Sequence, residues 1–151
     1  MAKYASISPW QDEYNTPALD QLRSPIKGDP KKAFDRMRSK AESLGPMTED
    51  LKWFGHCWYW SITLTPDDQD EALAIIIPSP EDLQVASQFT HEFLEQLPTR
   101  RLKRFVRDGL ELAMPPHDTT WAFWSIPTVT AVDDIMPVLK NKYAWMHRDG
   151  A

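Results

Sequence analysis

The chain has 151 residues, 42% hydrophobic and 26% charged, with a net charge of -5 and a pI near 5.3. That length fits one domain that buries about two-thirds of its unfolded surface, and no apolar run approaches the ~18 residues that cross a bilayer. The acidic balance argues against general attraction to nucleic acid or to anionic membrane. A single cysteine, Cys57, rules out an internal disulfide and any cysteine-based zinc motif; with no secretory pattern at the N-terminus, it points to the cytoplasm.

Residues 1–29 carry Pro9, Pro17 and Pro25 and no sustained apolar period, so they read as an extended arm touching the domain through Tyr4, Trp10, Tyr14 and Leu19. Residues 30–147 then form a single α+β domain, which is expected to stay folded without residues 1–28. Asp29-Pro30 predicts a helix start; Phe34, Met37, Ala41 and Leu44 recur at helical spacing, and Gly45-Pro46 ends the run.

From Leu51 the residues become aromatic and β-branched. Gly55 marks a bend before a strand from Cys57 to Leu64, with Trp58, Trp60, Ile62 and Leu64 expected on one face. A turn at Thr65–Asp70 leads to a central strand, Ala72–Ile77, and alternation over Leu83, Val85 and Phe89 predicts a strand returning antiparallel. Thr90–Leu97 reads either way. Thr99 is expected to cap a helix with the stripe Leu102, Phe105, Val106, Leu110 and Ala113, closed by Pro115-Pro116. Trp121–Ile126 follows as a strand. Thr130 or Asp133 starts a last helix, Pro137 favouring the later start or a kink. The fold class is thus α+β, an antiparallel meander of about five strands with two or three packed helices.

The succession of capped helix, Trp53-Phe54-Gly55, the run Ile75-Ile76-Ile77-Pro78, basic helix, Trp121 and lysine-bearing last helix resembles the YdhG-like bacterial domains of unknown function. The match covers about residues 30 to 146 at the level of layout; the N-terminal arm and the extra tryptophans depart from it. The resemblance implies an α+β fold and no reaction.

The candidate chemistry divides three ways. Seven tryptophans are several times ordinary usage, and Trp53 and Trp58 flank Gly55 and His56. A bend there would bring Trp53, His56, Trp58 and Trp121 around one concave surface, a ligand-binding pocket for a small molecule or peptide, with Trp60 in the core. Trp121 and Trp124 should stand on opposite faces of their strand. A second reading takes Arg100, Arg101, Lys103, Arg104 and Arg107 as a basic helix face that binds an anionic partner. The third is an enzyme centred on His56 and Cys57, opposed by geometry because adjacent strand residues point apart and by the expected burial of Cys57. His56, His91, His117 and His147 form no ligand pair, and Glu95 stands where a zinc-protease helix needs its second histidine. No metal, cofactor or catalytic residue is expected, and a binding protein is favoured over an enzyme.

Overall fold

The computed structural model describes residues 8–112 and 119–148. Tyr4, the expected helix end at Ala113 and Pro115-Pro116, and His117 lie outside them. A 3-10 turn at Pro9–Gln11 is followed by helices α1 (Leu19–Arg23) and α2 (Asp29–Leu44) and strands β1 (Met47–Trp53), β2 (Trp60–Pro66), β3 (Ala74–Ile77) and β4 (Gln84–Thr90). Helix α3 (His91–Gln96), a 3-10 turn at Thr99–Arg101, α4 (Arg104–Leu112), β5 (Thr119–Ser125) and α5 (Val129–Met146) complete the order. The five strands form one antiparallel sheet in the order β1-β2-β3-β4-β5, each paired with its neighbour in sequence. The fold is the α+β meander that the alternating segments predicted. No helix among the described residues is long and apolar enough to cross a membrane.

One sheet face carries the main core. Ile62 and Leu64 of β2, Ile76 of β3, Val85 and Phe89 of β4, and Ala122 and Trp124 of β5 point to it and meet Phe34 and Met37 of α2 and Val132, Ile135, Val138 and Leu139 of α5. Helix α5 is capped by the Thr128 hydroxyl, which accepts from Ala131 N at 3.2 Å, so it starts before either expected position and runs through Pro137. The lost backbone bond is outweighed by four fully buried side chains on one stripe, each worth about 1.5–3 kcal/mol of transfer free energy. Helix α2 is held on three sides by forked guanidinium–carboxylate pairs: Arg23–Asp35 from α1, Arg38–Glu49 to β1 and Arg36–Asp133 to α5, all with both bonds between 2.7 and 2.9 Å.

Three expectations are corrected. The N-terminal arm is not extended throughout: Leu19–Arg23 is helical, and Leu22 and Ile26 are buried in the main core at 1% and 0% exposure. Two apolar side chains with no periodic neighbours carry no sequence period, yet they fill the core beside α2. The helix expected to run unbroken from Thr99 is split, because Leu102 adopts an extended backbone and buries itself in the core between the 3-10 turn and α4. Finally, β2 begins at Trp60 rather than Cys57. Residues 55–58 form a turn, with Gly55 at φ 85° and Tyr59 at φ 53°.

Helix α4 lies directly on β5. Trp124 Nε1 donates to the Val106 carbonyl at 3.0 Å, and a methyl group placed on Gly109 would overlap the Trp124 indole and press on the Phe123 carbonyl. On helix propensity alone Gly109→Ala would stabilise by about 1 kcal/mol. The overlap reverses the sign, and a net loss of about 1–3 kcal/mol is expected in urea unfolding. Leu22→Ala and Ile26→Ala should each cost about 2–5 kcal/mol by the same measurement, so removal of residues 1–28 is expected to destabilise the domain severely; an unchanged melting curve would return them to the status of an arm.

Candidate functional site

The β1–β2 connection reads Phe54-Gly55-His56-Cys57-Trp58-Tyr59 and is closed by Phe54 N donating to Tyr59 O and Tyr59 N donating to Gly55 O, both 2.9 Å. Gly55 supplies a positive φ at no steric cost, whereas the positive φ of Tyr59 is unfavourable for a bulky residue. Packing holds it there. The Tyr59 ring lies 4.7 Å from Trp10 and 5.9 Å from Trp53, between centroids. The N-terminal segment and the loop also clasp each other: Trp10 Nε1 donates to Trp58 O at 3.0 Å, and Trp60 Nε1 donates to Asp12 O at 2.7 Å.

This loop lies over the second face of the sheet. That face presents Ile75 and Ile77 of β3 and Ala86 of β4, with Ala86 paired to Phe123 and Gln88 to Trp121 across β4–β5. Among the described residues, Trp10, Phe54, Trp58 and Ala72 pack on it. Trp58 reaches across to β5, its ring 5.3 Å from Trp121 and 5.4 Å from Phe123, both edge-on. Trp121 and Phe123 remain 36% and 41% exposed. Beside them a slot of about 40 Å³ opens between Ile75, Ala86, Gln88 and Trp121, with Glu71 at its side.

Of the four residues expected around one pocket, Trp58 and Trp121 meet and the other two do not join them. Trp53 pairs in register with Trp60 and packs toward the main core, 5.7 Å from the Trp60 ring. His56 is exposed at the loop tip and sits edge-on to Trp53 at 6.4 Å. The bend at Gly55 sends Trp53 and Trp58 to opposite faces of the sheet instead of to a common opening. Trp58, expected to share the inward face of Trp60, is thus on the outer one. Trp60 and Trp124 are buried at 8% and 2%, and Trp121 faces away from Trp124 as its strand position requires. Phe123 was not singled out by sequence, although its alternation with Trp124 places it beside Trp121.

Comparison with protein-family models, with curated proteins and with solved structures gave no match. The chemistry of the chain must therefore be read from its own geometry.

Cys57 is exposed at the loop tip, contrary to its expected burial among aromatic rings. The early turn keeps it out of β2. Arg100, Arg101, Lys103, Arg104 and Arg107 are all exposed, but the break at Leu102 divides them between a 3-10 turn and the start of α4. Arg104 is drawn to Asp108 at 3.8 Å.

Sequence reasoning missed Lys142. Projecting from α5 into the sheet, it is only 4% exposed, and its Nζ donates to Ala72 O at 3.2 Å, Ser87 Oγ at 3.1 Å and Gln88 O at 2.6 Å. Three ammonium hydrogens thus meet three neutral acceptors, with no carboxylate in ion-pair contact among the described residues. Burial pulls its pKa from 10.5 down to about 8, with Glu71 acting weakly the other way. A lysine at helical spacing on the apolar stripe Ile135, Val138, Leu139 and Met146 of α5 is the signal that could have found it.

His147 behaves oppositely. Its Nδ1 lies 2.7 Å from the Tyr143 carbonyl and its Nε2 2.9 Å from Asp68. Both partners are acceptors, so only the imidazolium donates to both, and its pKa is raised, first by the Tyr143 carbonyl and then by Asp68.

These two groups set the expected pH profile. His147 contributes stability that is complete below its unfolded pKa of 6.5 and is lost as pH rises through the higher folded value. Lys142 works in the next window. Between pH 8 and 10.5 the unfolded chain holds the proton that the folded chain has released, so stability rises with pH, by up to about 3 kcal/mol. Urea unfolding across this range should show the alkaline rise in the wild type and its loss in Lys142→Met, while Asp68→Asn should flatten the decline near neutrality.

Proposed function

We propose that the chain is a peptide-binding module that uses the outer sheet face, with Trp58, Trp121 and Phe123 as its contact surface. One observation carries this reading: Trp121 and Phe123 stand exposed and adjacent on β5 with the Trp58 ring edge-on to both. Large rings side by side at a half-covered apolar face are the residues that supply binding energy at interfaces. The face is shallow, and its slot of about 40 Å³ admits little more than the end of one aliphatic side chain, which favours a peptide over a small molecule. Glu71, at the same slot, supplies a carboxylate to fix orientation. The resemblance to YdhG-like domains expected from the sequence adds no residue to this reading. The basic residues of the second reading are spread over a 3-10 turn, the link residue Lys103 and α4 and face solvent, and among the described residues neither His56 nor Cys57 makes a side-chain hydrogen bond or ion pair that would orient it for catalysis.

Selection from a random peptide library on the intact chain tests the proposal. Selected peptides are expected to carry aliphatic or aromatic side chains, and to bind equally at about 0.1 and about 1 M salt, over which the Debye length falls from about 10 to about 3 Å. Trp121→Ala and Phe123→Ser should each weaken them by about tenfold or more while costing less stability than the about 3–5 kcal/mol expected for Trp60→Ala. Acidic peptides released by salt would move the function to Arg100, Arg101, Lys103, Arg104 and Arg107. Binding untouched by both β5 variants, or no selected peptide at all, would overturn the proposal.

A further inference from the structure

A second feature lies toward the opposite side of the sheet, sharing Glu71 and Gln88 with the slot beside Trp121 but none of the exposed rings of the aromatic face. A cavity of about 230 Å³ lies where the C-terminal turns of α5 meet the end of β4 and the start of α3. Phe89, Phe93, Trp145 and Met146 line it, with Phe89 and Phe93 stacked at 5.4 Å and Trp145 edge-on to Phe93 at 5.8 Å. The charged groups that border it are Lys142, Arg148 and Glu71. The Arg148 guanidinium carbon sits over Trp145, 4.0 Å from the ring centroid, and the group donates to the Trp145 carbonyl at 2.8 Å. Neither Arg148 nor Glu71 forms an ion pair among the described residues, and Lys142 has only neutral acceptors.

Two cations and one carboxylate leave the cavity a net single positive charge, and the cation at its inner wall is 4% exposed. A buried ammonium held by neutral groups alone is costly, and a carboxylate brought near it in a water-poor site is attracted far more strongly than in bulk water. A purely structural lysine would need no cavity at its side. Here there is one, smaller than the about 300–1,000 Å³ of pockets for drug-sized ligands and walled by aromatic rings.

We propose that this cavity binds a small monocarboxylate with a flat apolar body, the carboxylate directed to Lys142 and Arg148 and the body lying against Phe93 and Trp145. Lys142 has committed its hydrogens to Ala72, Ser87 and Gln88, so it acts on the ligand as a fixed point charge. Arg148, whose guanidinium donates to the Trp145 carbonyl alone among the described residues, makes the hydrogen bonds. Glu71 sets the limit on charge: it disfavours a dianion and leaves room for one negative charge.

The test is calorimetric titration of the full chain with 3-phenylpropanoate, 3-phenylpropanamide and 3-phenylpropylamine. The acid should bind at least about tenfold more tightly than the amide, and the amine not detectably. Arg148→Gln should weaken the acid about tenfold and Glu71→Gln should strengthen it, both substitutions lying on exposed side chains that leave the core intact. Lys142→Met should narrow the difference between acid and amide, Arg148 supplying what remains. In the wild type the Lys142 Nζ resonance should titrate at higher pH with the acid bound, a change that a merely structural lysine would not show. Trp121→Ala should leave the titration unaltered, which separates this site from the peptide surface. Equal binding of acid and amide, absence of binding by the acid, or indifference of its affinity to Arg148→Gln and Glu71→Gln would each overturn the proposal. The last two variants and the resonance decide it even where Lys142→Met does not fold.

Discussion

A sheet of five strands has two faces, and the main helices of this chain cover one of them. Helices α2 and α5 pack together on the side of Ile62, Ile76 and Val85, leaving Ile75, Ile77 and Ala86 pointing the other way with no α-helix on them among the described residues. Apolar side chains of that size cannot face water without large cost. The chain meets this constraint with rings on loops: Trp10 from the N-terminal segment and Phe54 and Trp58 from the β1–β2 turn. The placement of Trp10 and Trp58, the strained backbone at Tyr59 and the clasp between Trp10 and Trp58 all follow from that solution. So does the exposure of Trp121 and Phe123, because a loop of six residues covers β3 and the near side of β5 and goes no further.

Much of the architecture was legible in the sequence because it rests on period. The alternation of Val85 and Phe89, the uninterrupted run Ile75–Ile77 and the stripe Phe34, Met37, Ala41 each have a repeat that one geometry satisfies. Sequence-adjacent strand pairing then needed no further information. What escaped was aperiodic. Leu22 and Ile26 enter the core from a segment with prolines on both sides, and Leu102 breaks a helix whose stripe it was expected to begin. In each case burial in a specific place overrode a local pattern that looked complete.

The candidate sites show the same division. Composition pointed to the tryptophans, and strand alternation separated Trp121 from Trp124 correctly. The grouping of Trp53 with Trp58 failed at Gly55, where one glycine identifies a bend without giving its direction. A turn of four residues reverses the chain and exchanges faces, whereas a simple bulge would have kept them. Lys142 was missed for another reason. Its carbonyl acceptors, Ala72 ahead of β3 and Gln88 on β4, are far away in sequence, and its place on the apolar stripe of α5 is the one local sign that it is buried rather than snorkelling to solvent.

The two borders of the sheet are managed by different means. On one side α4 lies on β5, so close that Gly109 has no side chain to spare. On the other, β1 has no strand beyond it among the described residues, and its row of backbone groups is the kind of template on which a second molecule could add a strand. Glu49, Asp50 and Lys52 place charge along this seven-residue strand, and Arg38 from α2 grips Glu49. An incoming apolar segment would have to strip water from these groups to pair there. The border of β1 is therefore guarded against aggregation by hydration, so the molecule can keep an aromatic surface open on β5 without also offering an adhesive edge on the opposite side.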